Sequence, residues 1–153
     1  MKISTFYKIY YRHRMKKASF VLKIYLIITV FFKYILNLYY LPKTKNLDEY
    51  SKENHNLFQK DLNYLCEYFN SDKGEKFKNQ YAKPSKQDDK KIIAHGYAKI
   101  YEKYLKEQKE KNLNIIELGS FYGNASAAFY FYFKNSQIYS ADINPDMYLY
   151  RSK

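Results

Sequence analysis

The residues with the types and spacing to do chemistry lie late in the chain: Glu117, Gly119, Gly123 and Asp142. The first three fall in Asn114-Ile-Ile-Glu-Leu-Gly-Ser-Phe-Tyr-Gly-Asn-Ala-Ser126, and the fourth ends Gln137-Ile-Tyr-Ser-Ala-Asp142. The pattern predicts a short buried strand over Asn114 to Leu118, a tight glycine turn and a helix. A second strand is expected over Gln137 to Ala141, ending in the acid. Strand, glycine turn, helix, strand and terminal acid form the opening half of a nucleoside-binding α/β unit. Gly119 lets the chain turn sharply at the carboxyl end of the strand, and Gly123 lets the first helical turn sit close to strand and ligand. The helix amino end offers N–H groups to a polar ligand. Asp142, about 20 residues beyond the turn, is placed to accept hydrogen bonds from two ribose hydroxyls.

A dinucleotide site wants a glycine at the second position of its fingerprint, where the backbone must approach a pyrophosphate. Phe121 stands there instead, leaving Gly-x-x-x-Gly. A ligand without a pyrophosphate would not need that glycine, and S-adenosylmethionine is such a ligand. The stretch resembles the first two motifs of class I S-adenosylmethionine-dependent methyltransferases. The resemblance implies that Glu117 lies near the amino-acid end of the cofactor and that Asp142 binds the ribose. The implied cofactor set is Glu117, Gly119, Ser120, Phe121, Gly123, Asp142 and Ile143. A dinucleotide-binding unit and a ligand-free α/β core are the other readings of the same residues.

Upstream, Ser71-Asp72-Lys73-Gly74, then His95-Gly96-Tyr97 and Ile100-Tyr101-Glu102-Lys103-Tyr104, are similar to a segment preceding the first strand in sugar and macrolide-sugar O-methyltransferases. This implies a segment covering the cofactor pocket, with His95 and Tyr97 near the cofactor and a sugar-like or small-molecule acceptor. The gap between Lys73 and His95 is longer than that pattern usually has. Read without the resemblance, His95 is a helix-start histidine, and Tyr97 and Tyr101 are core aromatics.

The net charge of +12 over 153 residues invites a nucleic-acid or membrane-surface reading. The abundant Lys, Asn, Ile, Tyr and Phe all have A/T-rich codons, which is a blander source of the basicity. The lysines also alternate with acids after residue 47, so no specific nucleic-acid surface is expected. The single cysteine, Cys66, excludes an internal disulfide framework and suits a reducing cytosol. It falls among apolar helix residues and reads as a packed thiol. No Cys/His cluster has metal-site spacing, and no catalytic residue is assigned.

Residues 1–41 form a basic, then apolar, amino-terminal helix. Residues 1–17 carry six Lys and Arg without an acid. The apolar run between Lys23 and Lys33 is shorter than the ~20 residues a bilayer span needs. Arg12, Lys16, Ser19, Lys23, Lys33 and Asn37 fall on one helical stripe, with Leu26 and Val30 in its two omitted places. Ile24, Ile28, Phe31, Phe32 and Ile35 surround the other side. This character predicts a helix lying in a membrane interface, with its basic residues towards anionic headgroups on the cytoplasmic face. A true span and a helix packed on protein are the alternatives.

Residues 42–112 read as a helical covering region. Asn46 is expected to cap a helix running to about Phe69, with Phe58, Leu62, Leu65 and Phe69 inward. A polar loop follows near residues 70–89. A second helix is expected over residues 91–111, with Ile93, Tyr97, Ile100, Tyr101, Tyr104 and Leu105 as its inner face. Residues 113–153 begin the Rossmann-like domain.

The fold expected is therefore α/β: an incomplete Rossmann-like methyltransferase core, its first two parallel strands preceded by amino-terminal helices. The resembled family has seven strands, so the chain is expected to be an amino-terminal part, inactive alone. The rival is a small membrane-associated binding or assembly protein with no cofactor.

Overall fold

The computed structural model describes residues 3–4, 7, 18–36, 44–78, 94–143 and 145–152. The chain divides into two compact units, Met1–Pro42 and Lys43–Lys153.

The first unit contains helix α1, Phe20–Ile35. Ser19 caps it, its hydroxyl accepting from the Leu22 amide at 3.4 Å. Leu26 and Val30, the two apolar places in the expected polar stripe, are the buried ones, packed with Tyr7, Ala18 and Tyr34. The remaining apolar circumference is open, including Ile24, Ile28, Phe31, Phe32 and Ile35. Arg12, Lys16 and Asn37 lie outside the described residues. Among the described residues no helix is long and apolar enough to cross a membrane.

The second unit is mixed α/β. Its order is β1 (Lys45–Asn46), α2 (Leu47–Glu53), a 3-10 turn (His55–Gln59), α3 (Leu62–Tyr68), α4 (Tyr97–Leu105), a 3-10 turn (Lys106–Gln108), β2 (Asn114–Leu118), α5 (Asn124–Tyr132), β3 (Gln137–Ala141), a 3-10 turn (Pro145–Met147) and β4 (Tyr150–Arg151). Strands β2 and β3 are parallel, with Asn114 opposite Gln137 and Leu118 opposite Ala141. Parallel neighbours need a crossover, and α5 provides it.

The expected strands are observed with the expected bounds, but β2 is not the buried strand expected: only Glu117 is buried, and Ile116 and Leu118 are exposed, because helices cover one face alone. The helix expected to Phe69 is not continuous. Asn54 ends α2, its side-chain amide donating to the Tyr50 carbonyl at 2.9 Å, and Asp61 restarts the chain as the cap of α3. Two short polar side chains that bond the backbone locally outcompete a continuous helix. Asn46 caps α2 as expected.

A larger correction concerns α4. It buries Ala98, with Tyr101 and Leu105 half-buried, while Tyr97, Ile100 and Tyr104 are exposed. The small Ala98 lets the helix approach its neighbours closely, which rotates the expected face outward. Ile93 and most of the polar loop lie outside the described residues. An unforeseen feature is the two-residue parallel pair β1–β4, joined further by the Lys45 amide to the Leu149 carbonyl at 2.7 Å.

The core gathers Leu47, Leu57, Leu62, Leu65, Cys66, Phe69 and Ala98 around α5, whose Ala125, Ala127, Ala128 and Phe131 are buried. Small residues in the first turns of α5 bring its amino end close to the sheet. One sheet face, with Ile115 and Ile138, packs on this core. On the opposite face Ile116, Leu118 and Tyr139 are exposed.

Candidate functional site

The turn after β2 is drawn tight by its own amides. Gly119 N–H and Ser120 N–H donate to the Ala141 carbonyl at 2.8 and 3.2 Å, and Gly123 N–H donates to the Ser120 carbonyl at 2.7 Å. Phe121 N–H donates to Asp142 Oδ2 at 2.9 Å. The acid ending β3 is therefore tied to the turn ending β2, and the two strand ends form one ledge. Gly119 and Gly123 have φ of +79° and +75°, the left-handed backbone for which glycine is suited. Phe121 adopts φ +49° without that freedom, so the turn stores strain.

The turn amides of Gly119, Ser120, Phe121 and Gly123 are spent inside the protein, so the N–H groups expected at the helix amino end do not extend into the turn before it.

Beneath the ledge lies a buried polar network. Glu117, 8% exposed, points from β2 towards α5. Its Oε1 meets Lys73 Nζ at 2.9 Å, and its Oε2 accepts from the Ser126 hydroxyl. Ser126 in turn accepts from the Ser140 hydroxyl at 2.6 Å. One chain of hydrogen bonds thus runs from β3 through α5 and β2 to the loop carrying Lys73. Burial opposes the Lys73 charge, but the hydrogen bond and charge of Glu117, with Asp72 adding, outweigh it. The ammonium is held above its ordinary 10.5.

The Lys73 loop is stitched to α4. The Asp72 and Lys73 carbonyls accept from the His95 and Ala98 amides, both at 2.7 Å. Asp72 also pairs with His95, Oδ2 to Nδ1 at 3.2 Å, and the His95 ring stacks on Tyr97 with centroids 5.2 Å apart.

A cavity of ≈ 110 Å³ opens here, lined among others by Asp72, Lys73, Glu117, Gly119, Ser120 and Asn124. Asn124 opens α5 and is 5% exposed. Its Nδ2 donates to the Asn70 carbonyl at 3.0 Å, while its Oδ1 has no hydrogen bond among the described residues. A larger depression of ≈ 620 Å³ follows the edge of β3, with Gly123, Ser126, Gln137 and Tyr148 in its wall. It reaches Ser126 and Ser140 of the network from the other side, while Lys73, Glu117 and Asn124 line the smaller cavity.

Of the residues singled out in the sequence, Glu117, Gly119, Ser120 and Phe121 line the smaller cavity. Asp142 joins them through Phe121. His95 and Tyr97 stand one step out, behind Asp72. Gly123 faces the larger depression, and Ile143 is exposed. Lys73, Asn124 and Ser126 were not singled out as site residues. An acid alternating with isoleucine and leucine in a strand is the signal for Lys73 and Ser126, because a buried carboxylate needs partners. Among the described residues no group of three or more His, Cys, Asp and Glu could hold a metal ion.

No family model, curated protein or solved structure matches this chain.

Proposed function

We propose that this chain carries the S-adenosylmethionine-binding part of a methyltransferase acting on a hydroxyl of a sugar-like or other small-molecule acceptor. The pair β2–β3 with α5 between is then the opening of a Rossmann-like sheet. The observation that carries the reading is the ledge made by Asp142 and the Phe121 amide, beside a small polar cavity at the carboxyl ends of two parallel strands. Ligands of open α/β sheets bind at such strand ends.

The residues fit this cofactor on two counts. The buried Asn124 Oδ1 lacks a hydrogen-bond donor among the described residues. A Cβ added at Gly119 would meet nothing within 4 Å, so the backbone there is open to a ligand. The spent turn amides and Phe121 argue against a pyrophosphate. Asp142 would hold the ribose, and the cavity would take the amino-acid end. The chemistry the cofactor supplies when bound is an electrophilic methyl group on a sulfonium. What the chain contributes is position, which supplies much of the rate in a transfer between two bound groups. The test is ligand-observed magnetic resonance with the full chain. S-adenosylmethionine should bind and NAD should not; the reverse would assign a dinucleotide site.

A second reading rests on α1. Phe20, Val21, Ile28 and Phe31 are each at least half exposed on one short helix. A membrane surface on the cytoplasmic side is the partner proposed for this helix, as anchor of the enzyme or as the whole function of a cofactor-free assembly protein.

A further inference from the structure

Strand β3 has a partner on one side only: among the described residues its sheet holds two strands, β2 and β3. Gln137 N–H donates to the Leu113 carbonyl at 2.8 Å, and Gly119 N–H donates to the Ala141 carbonyl at 2.8 Å. Main-chain groups along a strand turn alternately to either side. Gln137, Tyr139 and Ala141 therefore face β2, while Ile138 and Ser140 each turn an N–H and a C=O to the open edge. The Ser140 hydroxyl is drawn towards α5 instead, donating to Ser126 at 2.6 Å. Beside the edge runs the ≈ 620 Å³ depression, lined by Gln137, Ile138, Tyr139 and Ser140 in succession.

Native proteins commonly guard such an edge with a lysine, a proline or a bulge. β3 reads Gln-Ile-Tyr-Ser-Ala in unbroken register with β2, with no charge and none of these devices. Two copies of a chain of net charge +12 can meet here without bringing like charges together. About a twofold axis at Tyr139, two antiparallel β3 strands set Ile138 of each copy opposite Ser140 of the other. Each such pair exchanges two main-chain hydrogen bonds, and the large isoleucine lies against the small serine beside the depression. The two Tyr139 side chains become direct neighbours on the uncovered face, next to the exposed Ile116.

We propose that the free edge of β3 is a self-association surface, where a second copy of this chain pairs antiparallel about Tyr139 and makes one four-stranded sheet. The interface is small, and the dimer is correspondingly weak and transient. This inference does not depend on the methyltransferase reading, because neither Ile138 nor Tyr139 lines the smaller cavity.

The test is analytical sedimentation of the full chain across the micromolar range. The average mass should rise with concentration towards that of a dimer, and more readily as salt screens the net charge. Tyr139→Lys sets two like charges opposite one another and should weaken association roughly fivefold or more, as should Tyr139→Glu. An equimolar mixture of the two variants should restore it, which loss of fold would not allow. Under mild oxidation Tyr139→Cys should crosslink two copies, whereas Gln137→Cys should not, because the twofold carries those positions roughly 13 Å apart along the strands. A chain that stays monomeric throughout, a dimer unchanged in Tyr139→Lys, or crosslinking at position 137 as fast as at 139 would overturn the proposal.

Discussion

Lys73 and Glu117 stand 44 residues apart in the chain and meet at 2.9 Å between Nζ and Oε1. The contact joins the covering segment to the first strand of the sheet. It also neutralises an acid that is otherwise buried. Removing one partner of such a pair leaves an uncompensated buried charge. Lys73→Met is expected to destabilise the second unit by about 2–4 kcal/mol, and adding Glu117→Gln should recover much of the loss. Chemical denaturation of the two single variants and the double variant checks this.

The same pair has a pH signature. The Lys73 value is raised in the folded protein, so its contribution is present below the ordinary 10.5 and is lost as pH rises through the higher folded value. Melting temperature followed from about pH 9 to about pH 12 should fall more steeply for the wild type than for Lys73→Met. Parallel curves would mean the pair contributes nothing.

Phe121 holds a left-handed backbone at φ +49° while its ring lies 4.1 Å from that of Tyr122. Phe121→Gly relieves the backbone and loses the ring contact, and should change stability by less than about 1 kcal/mol. Phe121→Val adds β-branching where it is least tolerated and should cost about 1–3 kcal/mol. Equal losses would place the energy in the ring contact instead.

Cys66 is fully buried, and burial pushes its thiol up to about 12. In native buffer it should react with iodoacetamide at least ~100-fold more slowly than in denaturant, because the thiolate is scarce and inaccessible. Rapid native labelling would show that α3 opens readily.

Helix α1 should carry the full chain onto anionic vesicles. Ile28→Glu with Phe31→Glu places two charges on the open apolar side and should weaken partitioning by about tenfold or more. Wild-type protein that ignores such vesicles would remove the membrane reading.

The sequence disclosed the strands around the site because each is a short apolar run bounded by turn residues, with Gly119 and Asp142 marking the ends. Helix faces were harder to read. In α4 the choice lay between large aromatics and one alanine, and close packing selected Ala98. The break at Asn54 was hidden because a single asparagine lowers helix propensity only slightly, and its bond to Tyr50 is what makes it a stop. The β1–β4 pair, two residues long, has no periodicity to detect. Glu117 was legible as a site residue, but its partners were not. Lys73 lies across the covering loop, and Ser126 is one polar residue in a helix of small ones. Only the folded chain brings them together.

The central claim is that the ledge joining Asp142 to Phe121 binds a nucleoside through its ribose. Calorimetric titration of S-adenosylhomocysteine into the full chain and into Asp142→Asn measures it directly. The account predicts saturable binding by the wild type, weakened by roughly tenfold or more in a variant that remains folded. Folded wild type that does not bind, or a variant that binds equally well, would contradict it.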